Sequence, residues 1–408
     1  MIEAQSLIVP IPPLILVAGA EATLGADLMT MLVIALIAAF TPLLVGLFNL
    51  RVAEVVVLLG AGVLCGPHGL NWIVVDDAVV LLAQMGLGFL FFSAGLELEQ
   101  TAIHGRSGRL ACIGWLVSAV LAMAVAWMLQ RLDLISDFTG IAIALTSTAL
   151  GTLLPVLRDR GELRSRLGQY FMGAGALGEF GPILAIALLL SSSNTVMALL
   201  SLLLFGATAF LLARIPRQFS SEALVNVVER GHHSSSQTAV RLTVLLLITL
   251  LVVAHQFGLD VVLGGFVAGI ILKRYLPQDE ETLLSVKVEG IAFGIFVPIF
   301  FIVSGANLDI LSILQRPLLT VMFFVLLLVV RGLPQLLVYH RAIPDLGERS
   351  RLMLYVATGL PIIVAVTTLE MQAGLMRQEN AAALVGAGAL SVLVFPILAA
   401  ALPQRPQP

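Results

Sequence analysis

The chain reads as an all-α polytopic membrane protein made of two inverted six-helix repeats, and three observations carry that reading. First, 59% of its 408 residues are hydrophobic and only 12% are charged. Its mean hydropathy is +1.04, whereas soluble domains hold about 45–50% apolar and about 25% charged residues. Second, apolar stretches of membrane-crossing length follow one another along almost the whole chain. Third, one segment is written twice: GAGALGEFGPI at 173–183 and GAGALSVLVFPI at 386–397.

The apolar stretches fall at 28–48, 52–70, 77–96, 109–130, 138–157, 166–190, 194–214, 239–257, 259–275, 287–305, 317–339, 350–371 and 381–402, thirteen spans that we letter A to M. A shorter stretch, SLIVPIPPLILVAGA at 6–20, carries three prolines and lacks the basic start of a signal peptide, so it reads as an irregular or interfacial leader. Charge sets the orientation. With thirteen spans, eighteen of the 22 Lys and Arg residues fall on one side, three (Arg131, Arg316, Arg377) on the other, and Arg331 inside span K. The basic side, with the C-terminus, is therefore expected to face the cytoplasm. A net charge of −3 without a basic patch gives no sign of nucleic acid as a partner. Cys65 and Cys112, far apart in apolar sequence, read as small core residues rather than a disulfide or metal site.

The duplication extends beyond its first match. FLFFSAGLELE (89–99) aligns with PIFFIVSGANLD (298–309), Thr146-Ser147 with Thr358-Gly359, and Gly173 with Gly386, all in nearly one register. Spans A–F then correspond to H–M, with G as a linker. Equivalent spans lie seven apart, an odd number, so the second copy is expected upside down. The division is a leader at 1–27, a first repeat at 28–190, a linker at 191–238, a second repeat at 239–402 and a tail at 403–408. Inverted repeats are typical of secondary transporters, which bind their cargo near the midplane between broken helices.

Only one copy of the repeated segment carries a charge. Glu179 lies close to the middle of span F, roughly 18 Å from either end at 1.5 Å per residue, beyond reach of headgroup water. A charge there must be protonated, paired with a cation or in a water-filled cavity. A carboxyl that holds a proton and a cation in turn suits exchange; the plainer reading is an ion pair with Arg331. Thr146, Ser147 and Thr148 in span E, and Thr358, Gly359 and Pro361 in span L, mark expected paired helix breaks whose freed oxygens could receive a hard cation. The plainer reading there is one hydroxyl-bearing helix and one kinked helix. Arg331 either snorkels to the cytoplasmic end of span K or compensates charge at Glu179 and the broken ends.

Other residues read as structural. Glu97 and Glu99 mark the cytoplasmic boundary of span C, and Asp260, Asp309 and Glu370 fall near outer ends, where a carboxylate is inexpensive. His232, His233 and Ser234–Ser236 have linker composition. Gly60, Gly62, Gly66, Gly264, Gly265 and Gly269 read as helix-packing positions. No GxGxxG after a strand, HExxH or GxSxG occurs, so neither an enzyme nor a cofactor is expected.

LLGAGVLCGPHGL (58–70), MGLGFLFFSAGLELE (85–99), TSTALGTLLPVLRDRGEL (146–163) and FVPIFFIVSGANLDI (296–310) resemble the membrane domain of the Kef-type cation:proton antiporters, the cation:proton antiporter-2 family. The resemblance covers about 28–402. It implies a homodimeric sodium/proton-antiporter fold in which spans D, E, F, K, L and M form a moving core, E and L cross at their breaks, and the other spans form a dimerisation panel. It also implies that Glu179 stands at the position of the ion-carrying aspartate, that Arg331 stands at a basic position usually held by lysine, and that the core moves as an elevator. The sequence departs from the family at Gly178-Glu179, where members place Gln-Asp, Asn-Asp or Asp-Asp. It departs again at Thr358-Gly359-Leu360-Pro361, where many carry Arg-Gly-Glu-Phe. The expected function is exchange of Na+ or K+ for H+ across the cytoplasmic membrane. Because Glu179 stands alone, the expected exchange is electroneutral and one to one. A cation channel or a non-transporting receptor are the alternatives.

Overall fold

A computed structural model of the chain describes residues 13–47, 53–97, 105–163, 165–189, 195–218, 237–275 and 278–402. Glu99, the 232–236 stretch, the start of the leader and the tail at 403–408 lie outside the described residues. Every regular element described is helical. In chain order they are α1 Pro13–Leu47, α2 Glu54–Cys65, α3 Asp77–Glu97, α4 Gly105–Arg131, α5 Phe138–Leu145, α6 Leu150–Asp159, α7 Arg166–Leu189, α8 Thr195–Gln218, α9 Thr238–Gln256, α10 Val261–Tyr275, α11 Gln278–Ile291, α12 Val297–Ala306, α13 Ile310–Gln315, α14 Pro317–Leu326, α15 Leu333–Val338, α16 Leu346–Ala357, α17 Pro361–Gln372 and α18 Gln378–Ala401. Among the described residues nine helical stretches are long and apolar enough to cross a membrane.

Several helices differ from their expected bounds; α11, for instance, starts at Gln278, ahead of the expected 287. Residues 13–27 are continuous with the first span, because Pro13 occupies the start of α1, where a missing N–H is harmless, and no breaker follows before Pro42. The second span is helical only over Glu54–Cys65; Gly66 ends it, and Pro67 cannot extend the ladder. The expected interfacial carboxylates also separate. Asp260 and Asp309 are helix caps, accepting from the amides of Val262 and Leu311 at 2.8 and 2.9 Å. Glu370, near the end of α17, is buried to 1% exposure against α5. Cys65 is half-buried, and Cys112 lies exposed on α4 instead of in the core.

The helices pack as two groups. In the first, α3 packs closely on α10 and on α12, α12 on α2, and α9 on α10. α4 to α7 form a second group with α14 to α18, and few contacts join the two. Glycine builds the first group. A Cβ on Gly95 would run into Phe266 O, one on Gly269 into Phe92 O and one on Gly265 into Gly88 O, so α3 and α10 touch backbone to backbone. Gly62 and Gly66 meet Ile302 and Ala306 of α12 in the same way, whereas Gly60 faces open space. In lipid such close approach supplies the dispersion energy that a hydrophobic effect between helices cannot. Two interruptions soften the longer spans. π-helical turns at Ala292–Phe296 and Leu327–Gly332 precede Pro298 and Pro334, whose missing amides favour a widened ladder.

The backbone contact between α3 and α10 predicts an asymmetry between glycines. Gly269→Leu should destabilise the detergent-solubilised protein by about 1–3 kcal/mol or block folding, while Gly206→Ala, with nothing within 4 Å, should leave the unfolding midpoint unchanged. Thermal unfolding of the purified variants checks this.

Candidate functional site

A helix that ends inside a bilayer exposes amides and carbonyls to a medium without water, so each must find a partner in the protein. The chain makes two such ends face each other. One break lies at 146–149 between α5 and α6, the other at 358–360 between α16 and α17. At the first, the Thr146 and Ser147 hydroxyls donate back to Ile143 O and Ala144 O at 2.8 and 2.7 Å, satisfying carbonyls at the end of α5. At the second, Pro361 starts α17 without an N–H, which removes a rung and prevents an unbroken helix.

The freed groups are paired across the crossing. Pro182 in α7 cannot donate, so Gly178 O lacks its helical partner. The Thr148 amide donates to that oxygen at 3.0 Å, and the Ala149 amide donates to Thr358 O at 2.7 Å. The Thr148 hydroxyl donates to Val356 O at 2.8 Å, joining the first break to the end of α16. Across the second break the Gly359 amide donates to Ser391 Oγ of α18 at 3.1 Å. In the sequence repeat, Ser391 occupies the place of Gly178.

Glu179 completes the set. Its Oε1 accepts from the Leu150 and Gly151 amides at 2.9 and 3.4 Å, and the side chain is 8% exposed. These are the first amides of α6, so the carboxylate sits at the positive end of a half-helix, where an anion is favoured. Arg331 is buried at 1% exposure, and its guanidinium is held at the crossing. Its Nε donates to Thr148 Oγ1 at 3.0 Å and its Nη2 to Ala174 O at 2.8 Å. Among the described residues no ion pair joins it to Glu179. Gly178 makes room for it: a Cβ there would strike Thr148 Oγ1 and stand 2.6 Å from Arg331 Nη2. The arginine therefore occupies space that a side chain at 178 would fill.

The structure thus brings Thr146, Ser147, Thr148, Thr358, Gly359, Pro361, Glu179 and Arg331 into one region at the crossing. It also adds a residue that reading the sequence assigned to a boundary. A cavity of about 80 Å³ is lined by Glu179, Gly151 and Thr152 from the second group and by Ser93, Glu97 and Phe301 from the first. Glu97 Oε2 is buried without a hydrogen-bond partner, so Glu179 is not the only carboxylate here. Ser93 and Glu97 are four residues apart and share a helical face, the one signal that could have separated Glu97 from Glu99. Among the described residues no group of three or more His, Cys, Asp or Glu side chains could hold a metal ion.

Buried polar groups meeting at two broken helices, beside a cavity between two helix groups, define the class: a multi-pass membrane carrier. The chain belongs to the sodium/hydrogen exchanger, transmembrane family, whose pattern matches residues 15–402. It is a transporter and not an enzyme. It is 23% identical over 389 residues to the putative Na+/H+ antiporter YjbQ of Bacillus subtilis, covering 90% of this chain but only 62% of that one. It is 24% identical to a Na+/H+ antiporter of Enterococcus hirae, over 83% of this chain and 88% of the other. It is also 24% identical to the Na+/H+-K+ antiporter GerN of Bacillus cereus, over 65% and 68%. The fold resembles the sodium proton antiporter MjNhaP1 of Methanocaldococcus jannaschii, with a TM-score of 0.63, 16% identity, and 91% of this chain and 96% of that one covered. Membership holds for the exchanger family as a whole; the Kef-type resemblance rests on the sequence motifs.

Two substitutions probe the crossing. Gly178→Ala should displace Thr148 or Arg331 and lower stability by about 1–3 kcal/mol. Ser391→Ala leaves the buried Gly359 amide without its acceptor and should cost about 1–3 kcal/mol. Thermal unfolding in detergent measures both, with Gly46→Ala, in open space, as the neutral control.

Proposed function

We propose that the chain exchanges a monovalent cation, Na+ or K+, for H+ across the cytoplasmic membrane, with Glu179 as the group that carries each in turn. The observation that supports this most is the position of Glu179: a midplane carboxylate on the amides of a half-helix, opening on a cavity between two helix groups. Held there, the carboxylate can accept a cation together with hydroxyl and carbonyl oxygens, or a proton when the cation leaves. Thr146, Ser147, Thr148, Thr358, Gly359 and Pro361 hold the crossing open. Arg331, through Thr148, offsets the negative carbonyl ends that meet there.

Thirteen spans in two inverted repeats with a linker helix would suit an elevator in which the α4–α7 and α14–α18 group slides against the other. Glu179 would ride on the moving group, while Glu97, on α3, stays with the scaffold. Only one carboxylate then crosses, so the proposed exchange remains electroneutral and one to one despite the second acid in the cavity. Glu97 attracts the cation on the basic, cytoplasmic side and repels the charge of an empty Glu179, which favours its reload. The scaffold group would also form a homodimer, with both termini following the orientation that the basic loops set.

The test is proteoliposomes holding a pH gradient and an internal pH dye, with Na+ or K+ added outside. Cation-dependent collapse in wild type and none in Glu179→Gln is expected. Collapse that survives in the variant would move the carrier group elsewhere, and leak without counter-movement of protons would favour a channel. Glu97→Gln should keep exchange but raise the cation concentration for half-maximal rate about tenfold, the loss of about 1.4 kcal/mol of attraction.

A further inference from the structure

Two buried acids remain outside the crossing. Asp137 caps α5, its Oδ1 accepting from the Thr139 amide at 3.0 Å. Its Oδ2 is buried and has no partner, and the same holds for Glu370 Oε2 on α17. Both flank one glycine. A Cβ on Gly140 would strike Asp137 Oδ2 and stand 2.8 and 2.9 Å from Glu370 Cγ and Cδ. The pair thus joins the two half-helices, α5 and α17, that lie on the far side of the breaks from α6 and α16.

We infer that Asp137 and Glu370 form a carboxyl pair that holds a proton, taken from the outer aqueous side and released as external pH rises, and that the pair is a second proton site distinct from Glu179. Two ionised carboxylates in one buried site repel each other, so the pair favours holding one proton between them. Access runs through a cavity of about 270 Å³ lined by Glu370, Asp260, His255 and Ala187. Burial raises the Asp137 carboxyl above its ordinary value, against the opposing amides of Thr139, Gly140 and Ile141.

Charged groups on the surrounding elements do not remove the need for a proton. Arg131 at the end of α4 is exposed and lies near Trp127. On α18, Glu379 is engaged by Arg316 at 2.7 Å, while Arg377 precedes that helix and donates its backbone amide to Ser136 Oγ at 3.4 Å. On α7 Glu179 is held by the α6 amides, and on the π-turn Arg331 is held by Thr148 and Ala174. Asp260 caps α10 across the cavity, with His255 beside it. Loss of the proton would place like charges between α5 and α17 and drive their ends apart. Exchange should therefore slow at alkaline external pH.

The inference takes its outer side from the orientation proposed above, but its proton does not depend on Glu179 as carrier. Infrared difference spectra of the reconstituted protein, recorded as pH is raised, should show a protonated carboxylic C=O band that disappears. The band should be missing in both Glu370→Gln and Asp137→Asn, the latter keeping the helix cap. With internal pH fixed, the alkaline slowing of cation-driven exchange should vanish in both variants, while exchange itself persists. Bands unchanged in both variants would overturn the inference. So would each variant removing only its own band, because two independent acids share no proton. An absence of exchange in every protein, with the band behaving as stated, would sink the transport reading and leave the pair standing.

Discussion

The structure depends on one constraint: no backbone amide or carbonyl can stay unpaired at the middle of a bilayer. Two helices are nonetheless broken there, and the chain satisfies the loose ends with a few residues. Pro182 withholds an amide from Gly178 O, and Thr148 supplies one in its place. Ala149 reaches Thr358 O across the crossing, and Ser391 receives Gly359. Two amides at the head of α6 have no such backbone partner, and they are the ones that hold Glu179. The carboxylate is part of the same accounting that keeps the breaks open. Glu179 therefore sits at the point where both half-helix pairs meet.

Arg331 follows from the same constraint. A guanidinium at 1% exposure needs several acceptors. It finds Ala174 O and the Thr148 hydroxyl only because position 178 has no side chain. The second helix group is tied again away from the crossing. Arg351 on α16 binds Glu162, just beyond α6, at 2.7 Å, and Tyr355 donates to the same carboxylate at 3.2 Å. This links α16 to the loop after α6, much as Asp137 and Glu370 lie between α5 and α17. Such ties join the two broken helices on both sides of the crossing, while the glycine-packed group beside them is held by backbone contact.

Much of this was legible in the sequence. Glu179 stood out because charge in a span is rare, and the breaks because Thr-Ser-Thr and Thr-Gly-Leu-Pro carry chemistry that opposes a helix. What the sequence hid was set by facing rather than by residue type. Glu97 and Glu99 look alike along the chain, yet Glu97 lies one turn from Ser93 and lines the cavity. Glu370 falls near a span's end by count, but α17 turns it against α5, beside Asp137. The bond from Arg331 to Thr148 joins residues 183 positions apart, and no local pattern announces it. The end of span B was readable in Gly66-Pro67, a local signal that hydropathy alone overrides.

The central claim is that one carboxylate, seated on the α6 amides, holds either a cation or a proton. Proton release on cation binding measures it directly. Na+ is added to weakly buffered, detergent-solubilised protein at a pH where Glu179 is protonated, and released protons are counted with an indicator. The account predicts about one proton released for each cation bound in wild type and none in Glu179→Gln. Cation binding without proton release, or release that persists in the variant, would contradict it.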